Sequence, residues 1–150
     1  MPQSLVKNSL HITFSTKDRY PFINNNIENE LFCYLGGICK RLDCNPIIVG
    51  GYKDHVHILC QFSRKLALMK LIEELKSHSS KWIKVTGKSY AKFYWQRGYG
   101  AFSVNPTEIE IVKQYISHQH QHHQTKSFKN ELRAFLNKYH MEFDERYVWD

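Results

Sequence analysis

Two histidines one residue apart, His55-Val56-His57, are the first place in this chain where side chains could do chemistry together. On a strand, residues i and i+2 leave the backbone on the same face, so both imidazoles point together while Val56, Ile58 and Cys60 point the other way. Convergent imidazoles suit a divalent cation. The same spacing also serves a pair of exposed strand histidines with no ligand. Leu59 stands where a third histidine would continue an H-x-H-x-H nucleotide-hydrolase pattern, and that chemistry loses support.

A cation needs more than two ligands, and a helical segment after Thr107 offers them. Tyr115 and Gln119 are four residues apart, hence one turn apart on one side of a helix. Gln119 could supply an amide oxygen, and Tyr115 could lie beside the cation as a nucleophile. A free phenol has a pKa near about 10. Attack therefore needs a base or an electrophile sharpened by a metal. Packing alone would also account for Tyr115, which borders the apolar stripe of Ile109, Val112 and Ile116. His118, His120, His122 and His123 follow in the run HQHQHHQ. They point around much of the helix and cannot all face one ion. His118 or His122 could replace Gln119 as a ligand or shuttle a proton; solvated or phosphate-facing roles suit the rest.

The stretch KWIKVTGKSYAKFYWQRGYG, residues 81–100, combines Lys81, Lys84, Lys88, Lys92 and Arg97 with six aromatic residues and no carboxylate. Cations neutralise phosphates, and flat rings such as Trp95 and Tyr99 stack on unpaired bases at roughly 1–3 kcal/mol each. Single-stranded nucleic acid and a core-packing loop both fit this composition. Gly87-Lys88-Ser89 ends like a phosphate-binding loop, but Trp82 occupies the position where that loop needs glycine.

The elements that must carry these residues follow from periodicity. Leu10 to Ser15 alternates as a half-buried strand, with His11, Thr13 and Ser15 on the same side as the histidine pair. Asn24 to Leu42 reads as a helix weakened by Gly36-Gly37. Pro46 to Tyr52 and His55 to Phe62 read as neighbouring strands. Leu66 to about Lys84 is a second helix, and Ala101 to Val104 a short strand. Asn105-Pro106-Thr107 announces a further helix, with Thr107 and Glu110 at capping-box spacing. A last helix runs from about Ser127 to Tyr139. The order β-α-β-β-α-β followed by C-terminal helices predicts an α+β, ferredoxin-like antiparallel sheet with helices on one face and the other face open.

The 150 residues predict a single domain, 1–150. A hydrophobic content of 42% predicts a globular chain, and a net charge of +7 suggests a polyanionic partner. No apolar run reaches membrane-spanning length, and no secretory leader is evident, which predicts a soluble, cytoplasmic protein. Cys33, Cys39, Cys44 and Cys60 form no CxxC pair and read as free thiols.

Together these residues resemble the TnpA-type, single-tyrosine HUH transposases of small bacterial insertion sequences, the IS200-like class. HUH denotes His-hydrophobic-His, here His55-Val56-His57 within DHVHIL. The similarity also takes in WQRGYGAFSV (Trp95 to Val104), YISHQHQHH (Tyr115 to His123) and FDERYVWD (Phe143 to Asp150), in order over nearly the whole chain. The resemblance implies His55, His57 and Gln119 as metal ligands and Tyr115 as nucleophile. It also implies Mg²⁺ or Mn²⁺ as the ion, whereas ligand softness alone leaves zinc open.

It further implies cleavage of single-stranded DNA through a 5′-phosphotyrosine, reversed by attack of another 3′-hydroxyl, with no ATP. Family members recognise hairpins near element ends, helped by short guide sequences in the DNA. They work as homodimers in which the tyrosine helix of one subunit completes the site of the other, an exchange that the short link Asn105-Pro106 permits. Lys81, Lys84, Lys88, Lys92, Arg97, Trp95 and Tyr99 are the expected DNA contacts. Two other readings fit parts of the pattern: a non-catalytic single-stranded DNA or RNA binding module, and a rolling-circle replication initiator. A second tyrosine at helical spacing, used by some initiators, is absent.

Overall fold

The computed structural model describes residues 2–150. Four strands form one antiparallel sheet in the order β2-β3-β1-β4, with β1 at Ser9–Ser15, β2 at Asn45–Tyr52, β3 at His55–Gln61 and β4 at Gly100–Val104. Helices α1 (Glu28–Arg41) and α2 (Leu68–Thr86) connect them. Alternation in β1 and β3 sorts their side chains as expected. Ile12, Phe14, Val56, Ile58 and Cys60 pack against Leu31, Leu35 and Ile38 of α1 and Leu71 and Leu75 of α2 in the main core.

The sheet does not close into a barrel, but its second face is not open, in contrast to the expectation. Helices α3 (Ile109–Ser117), α4 (Gln119–His122) and α5 (Phe128–Lys138) cover it, and His11, Thr13, Ser15, His55 and His57 are all buried. The reason is apolar area that only the C-terminal half can cover. Phe102 of β4 joins Phe128, Leu132, Leu136 and Trp149 in a second cluster. Leu59 and Val104 join Ile116 in a third. Burying each such side chain is worth roughly 1.5–3 kcal/mol.

Local chemistry moves several boundaries. Asn24 organises a turn by accepting from the backbone N–H groups of Asn26, Ile27 and Glu28, so α1 starts at Glu28. It then runs unbroken through Gly36-Gly37. Two glycines cost about 1 kcal/mol each, less than the burial of Leu35 and Ile38 returns. Asn105 caps the next helical segment by accepting from Thr107 N–H, with Pro106 in the first turn, and this segment is a 3₁₀ turn that precedes α3. The expected continuous helix breaks at His118. Ser117 Oγ and His118 Nδ1 both donate to the Gln114 carbonyl, at 2.8 and 2.6 Å, and take the acceptor that the next helical N–H would use.

Gly50 lets α3 lie directly on β2. A Cβ there would stand 2.8 Å from Ile116 Cγ2 and 2.9 Å from its carbonyl oxygen. At the opposite end of the sheet, Lys76 Nζ donates to the carbonyls of Gln96, Arg97 and Gly98 at 2.7–3.0 Å and pins that loop. Burial lowers its pKa to about 8. The C-terminal tail locks α5 down through a forked pair between Arg133 and Glu145 and through Gly98 N–H on the Asp150 carbonyl. Among the described residues no helix is long and apolar enough to cross a membrane. The four cysteines are free, three of them buried.

Candidate active site

The polar side chains trapped between the sheet and α3–α5 converge on one point. Thr13 pairs with His57 and Ser15 with His55 across β1 and β3, which fixes the height of both imidazoles on the sheet. Lys53-Asp54 makes the two-residue turn into β3, and Asp54 Oδ1 accepts from His55 Nδ1 at 2.7 Å. His55 Nε2 lies 2.8 Å from Gln119 Oε1. Tyr115 and Gln119 therefore still share a site although the helix between them breaks.

The unexpected member is Glu131, on α5 and 2% exposed. Its carboxylate accepts from His57 Nε2 at 2.9 Å, His123 Nε2 at 3.1 Å, Gln119 Nε2 at 3.1 Å and the Tyr115 hydroxyl. Burial alone would raise its pKa, but the facing His57, His123 and His55 imidazoles outweigh it and hold the carboxyl well below the usual range. Sequence reading passed over Glu131, and over His123 as a specific member. A signal existed: Glu131 lies three residues after Phe128 and four before Phe135, inside the apolar stripe of its helix. His118 and His120 face elsewhere, His120 onto Glu28. His122 stacks on the Tyr115 ring at 4.8 Å.

His57 is held from both sides. Its Nδ1 lies 2.7 Å from Nε2 of His11, which is 2% exposed. Burial, with His57 beside it, lowers the His11 pKa to about 3; burial likewise lowers that of His57. The sign for stability follows. An unfolded histidine takes a proton near pH 6.5 and folded His11 does not, so stability is full above about pH 6.5 and falls as the pH drops toward 3. The slope is at most about 1.4 kcal/mol per pH unit for this group. Denaturant unfolding at pH 7.5 and pH 5 should show the wild type losing more stability on acidification than His11→Gln. Equal losses would remove His11 as the source.

The donor set fits a divalent cation. With its Nδ1–H committed to Asp54, His55 presents a lone pair at Nε2, and this faces the Gln119 Oε1 lone pairs at 2.8 Å. A cation against both would relieve that opposition. His55, His57, His123 and Glu131 each offer a ligand atom, all within 4.8 Å of one another. Glu131 Oε1 lies 3.5 Å from His55 Nε2 and 2.9 Å from His57 Nε2. Ligands at about 2.1 Å from an octahedral cation are about 3 Å apart, close to these spacings. The Tyr115 phenol stays protonated: burial and then the Glu131 carboxylate push its pKa up.

The expected DNA contacts divide. Trp95 is in the core, edge-on to Phe14 and Phe93, with its indole N–H donating to Ser79. It has no face free for a base. Lys81, Lys88, Lys92, Arg97 and Tyr99 are exposed. Lys84 lies 4.0 Å over the ring of exposed Tyr94. Lys88, Lys92 and Tyr94 line a surface hollow of about 530 Å³ with Lys17, Tyr20 and Phe22. Sequence reading had not singled out these last three. The hollow is away from the imidazole cluster, so basic surface and buried chemistry are separate features.

Comparison with known proteins gives consistent results. The profile of the family described as "Transposase IS200 like" matches residues 4–119. That span takes in His55, His57, Tyr115 and Gln119 and ends before His123 and Glu131. A transposase candidate from Deinococcus radiodurans R1, known as a crystal structure, superposes with a TM-score of 0.61 at 18% identity, covering 79% of this chain and 96% of its own. A REP-associated tyrosine transposase bound to a REP hairpin gives 0.60 at 10% identity, covering 82% and 73%. At such identities the two structures establish the fold. No curated protein sequence matches.

Proposed function

The chain belongs to the IS200-like transposase family, and on that premise we propose that it cuts and rejoins single-stranded DNA with Tyr115 as nucleophile. The observation that carries this reading is a single shared carboxylate. Glu131 holds the Tyr115 hydroxyl on one oxygen and the His57 imidazole on the other. A nucleophile, its proton acceptor and a set of cation ligands thus stand side by side.

His55, His57 and Gln119 would hold the cation, Mg²⁺ or Mn²⁺, and Glu131 Oε1 and His123 would complete the donor set. Such an ion, when bound, polarises the scissile phosphate and offsets charge in the transition state. Asp54 and His11 orient the two imidazoles from behind, which is how second partners ordinarily raise the affinity of histidine ligands. Glu131 Oε2 takes the phenol proton as the Tyr115 oxygen bonds to phosphorus in line. The 3′-oxygen leaves and takes a proton from solvent, and the 5′ end stays on Tyr115. A second 3′-hydroxyl reverses each of these transfers. The REP hairpin held by a fold neighbour supports hairpin DNA as the partner, and cytoplasmic DNA is where such a substrate is found.

Family resemblance implies a homodimer with exchanged tyrosine helices. Here the phenol and imidazoles meet within one chain, so we assign cleavage to a single subunit, and a dimer would pair two complete sites. Labelled single-stranded DNA flanking the gene, incubated with Mn²⁺, should give a denaturation-resistant adduct that mass mapping assigns to Tyr115. A mixture of Tyr115→Phe chains with His55→Ala,His57→Ala chains should stay inactive. Restored cleavage in that mixture would establish exchange between subunits and overturn the single-chain assignment.

A further inference from the structure

The imidazoles of His55 and His57 are fully buried, whereas Tyr115, like His123, is only partly buried. Its surroundings therefore determine how a phosphate arrives. Beside Tyr115 lies a cleft of about 190 Å³ lined by Tyr115, Lys126, Glu131, Ala134, Phe135 and Lys138. The cleft follows α5: Lys126 stands two residues before its first turn, Lys138 is its last residue, and Glu131 lies between. At 1.5 Å per residue α5 itself runs roughly 15 Å from Phe128 to Lys138, so the two lysines stand at its opposite ends. Both side chains are exposed, and neither ammonium is in an ion pair among the described residues. On α5, Lys129 lies 5.2 Å over the Trp149 ring, Lys138 lies 5.8 Å over the Tyr139 ring, and Arg133 is forked onto Glu145; of these three, Lys138 alone lines the cleft.

A cation held by the histidines and Glu131 would offset the carboxylate at the floor of this cleft, and Lys126 and Lys138 are the cationic side chains in the rest of its lining. We propose that the α5 cleft is the binding trough for the DNA strand at the scissile bond. One phosphate lies at the Tyr115 oxygen, and Lys126 and Lys138 grip the phosphates on its two sides. This inference rests on the cleavage reading above and adds the substrate's path through the site. The lysines bind and position the backbone without contacting bases, so the trough accepts any sequence, and sequence choice belongs to other surfaces.

The full-length protein with a fluorescein-labelled single strand of the gene-flanking DNA tests it. Each lysine that neutralises a phosphate on single-stranded DNA contributes about 0.7 to the slope of log K against log salt. Lys126→Ala,Lys138→Ala should lower that slope by about 1.4 and slow single-turnover adduct formation at least tenfold. The arginine pair at the same positions should restore both, and Lys129→Ala should change neither. A double alanine variant with wild-type slope and rate, in a wild type that does form the adduct, overturns the trough. If the wild type forms no adduct while the slope still falls by about 1.4, the cleavage reading fails and the trough stands as a binding site.

Discussion

Tyr115→Phe is expected to abolish the covalent protein–DNA adduct, with single-turnover cleavage falling at least about 10³-fold, the scale seen when a nucleophile is removed. Phenylalanine keeps the ring that stacks on His122 and meets Phe135 edge-on. It removes only the hydroxyl. Glu131 then retains the donors of His57, His123 and Gln119, so the buried carboxylate is not left bare. Stability should change by about 1 kcal/mol, the ordinary net worth of one hydrogen bond. Affinity for single-stranded DNA should stay within twofold, because the exposed cations are untouched. This combination separates a lost nucleophile from a lost fold. An adduct that persists in the phenylalanine variant, mapped to any other residue, removes Tyr115 from the mechanism.

Glu131→Gln should be nearly as damaging for a different reason. The carboxylate is the acceptor for four side chains, including the phenol whose proton must leave. A carboxamide keeps the shape but offers one acceptor oxygen and turns an N–H group toward existing donors. General-base loss on this scale costs about 10²–10⁴-fold in rate. Losing a carboxylate of the ligand set should weaken Mn²⁺ binding by at least the roughly 10–100-fold that loss of an outer partner costs, measurable by calorimetry without any DNA. Unpaired donors should lower stability by about 1–3 kcal/mol. Glu131→Asp should recover part of the metal affinity but less of the rate, since the shorter side chain cannot reach both His57 and Tyr115. Wild-type cleavage in Glu131→Gln would refute the proton transfer, and wild-type Mn²⁺ affinity would refute its place among the ligands.

The two variants also mark how far reading along the chain extends. Tyr115 was visible because an ionisable hydroxyl one turn from an amide, after a histidine pair, is a pattern of types and spacing. Glu131 was not. It lies 76 positions from His55, and nothing local distinguishes it from a carboxylate on a solvated face except its place in the Phe128–Phe135 stripe. Trp95 shows the converse. Its aromatic, basic neighbourhood suggested a base-stacking platform, yet a ring stacks on DNA only if one face is free, and Phe14 and Phe93 occupy its surroundings. His11 was read on the correct side of its strand, but its contact with His57 depends on the register that puts Thr13 opposite His57.

What the amino-acid order determined by itself was direction. Strand periodicity is a property of the backbone, so His55, His57, His11, Thr13 and Ser15 had to share one face whatever covered it. Only the tertiary structure decided what covered it, because that depends on Phe102, Phe128, Leu132 and Trp149 meeting from distant parts of the chain to exclude water. Their packing brings α5 down over the histidines. It turns an exposed imidazole pair into a buried cluster, and it carries a carboxylate into the cluster.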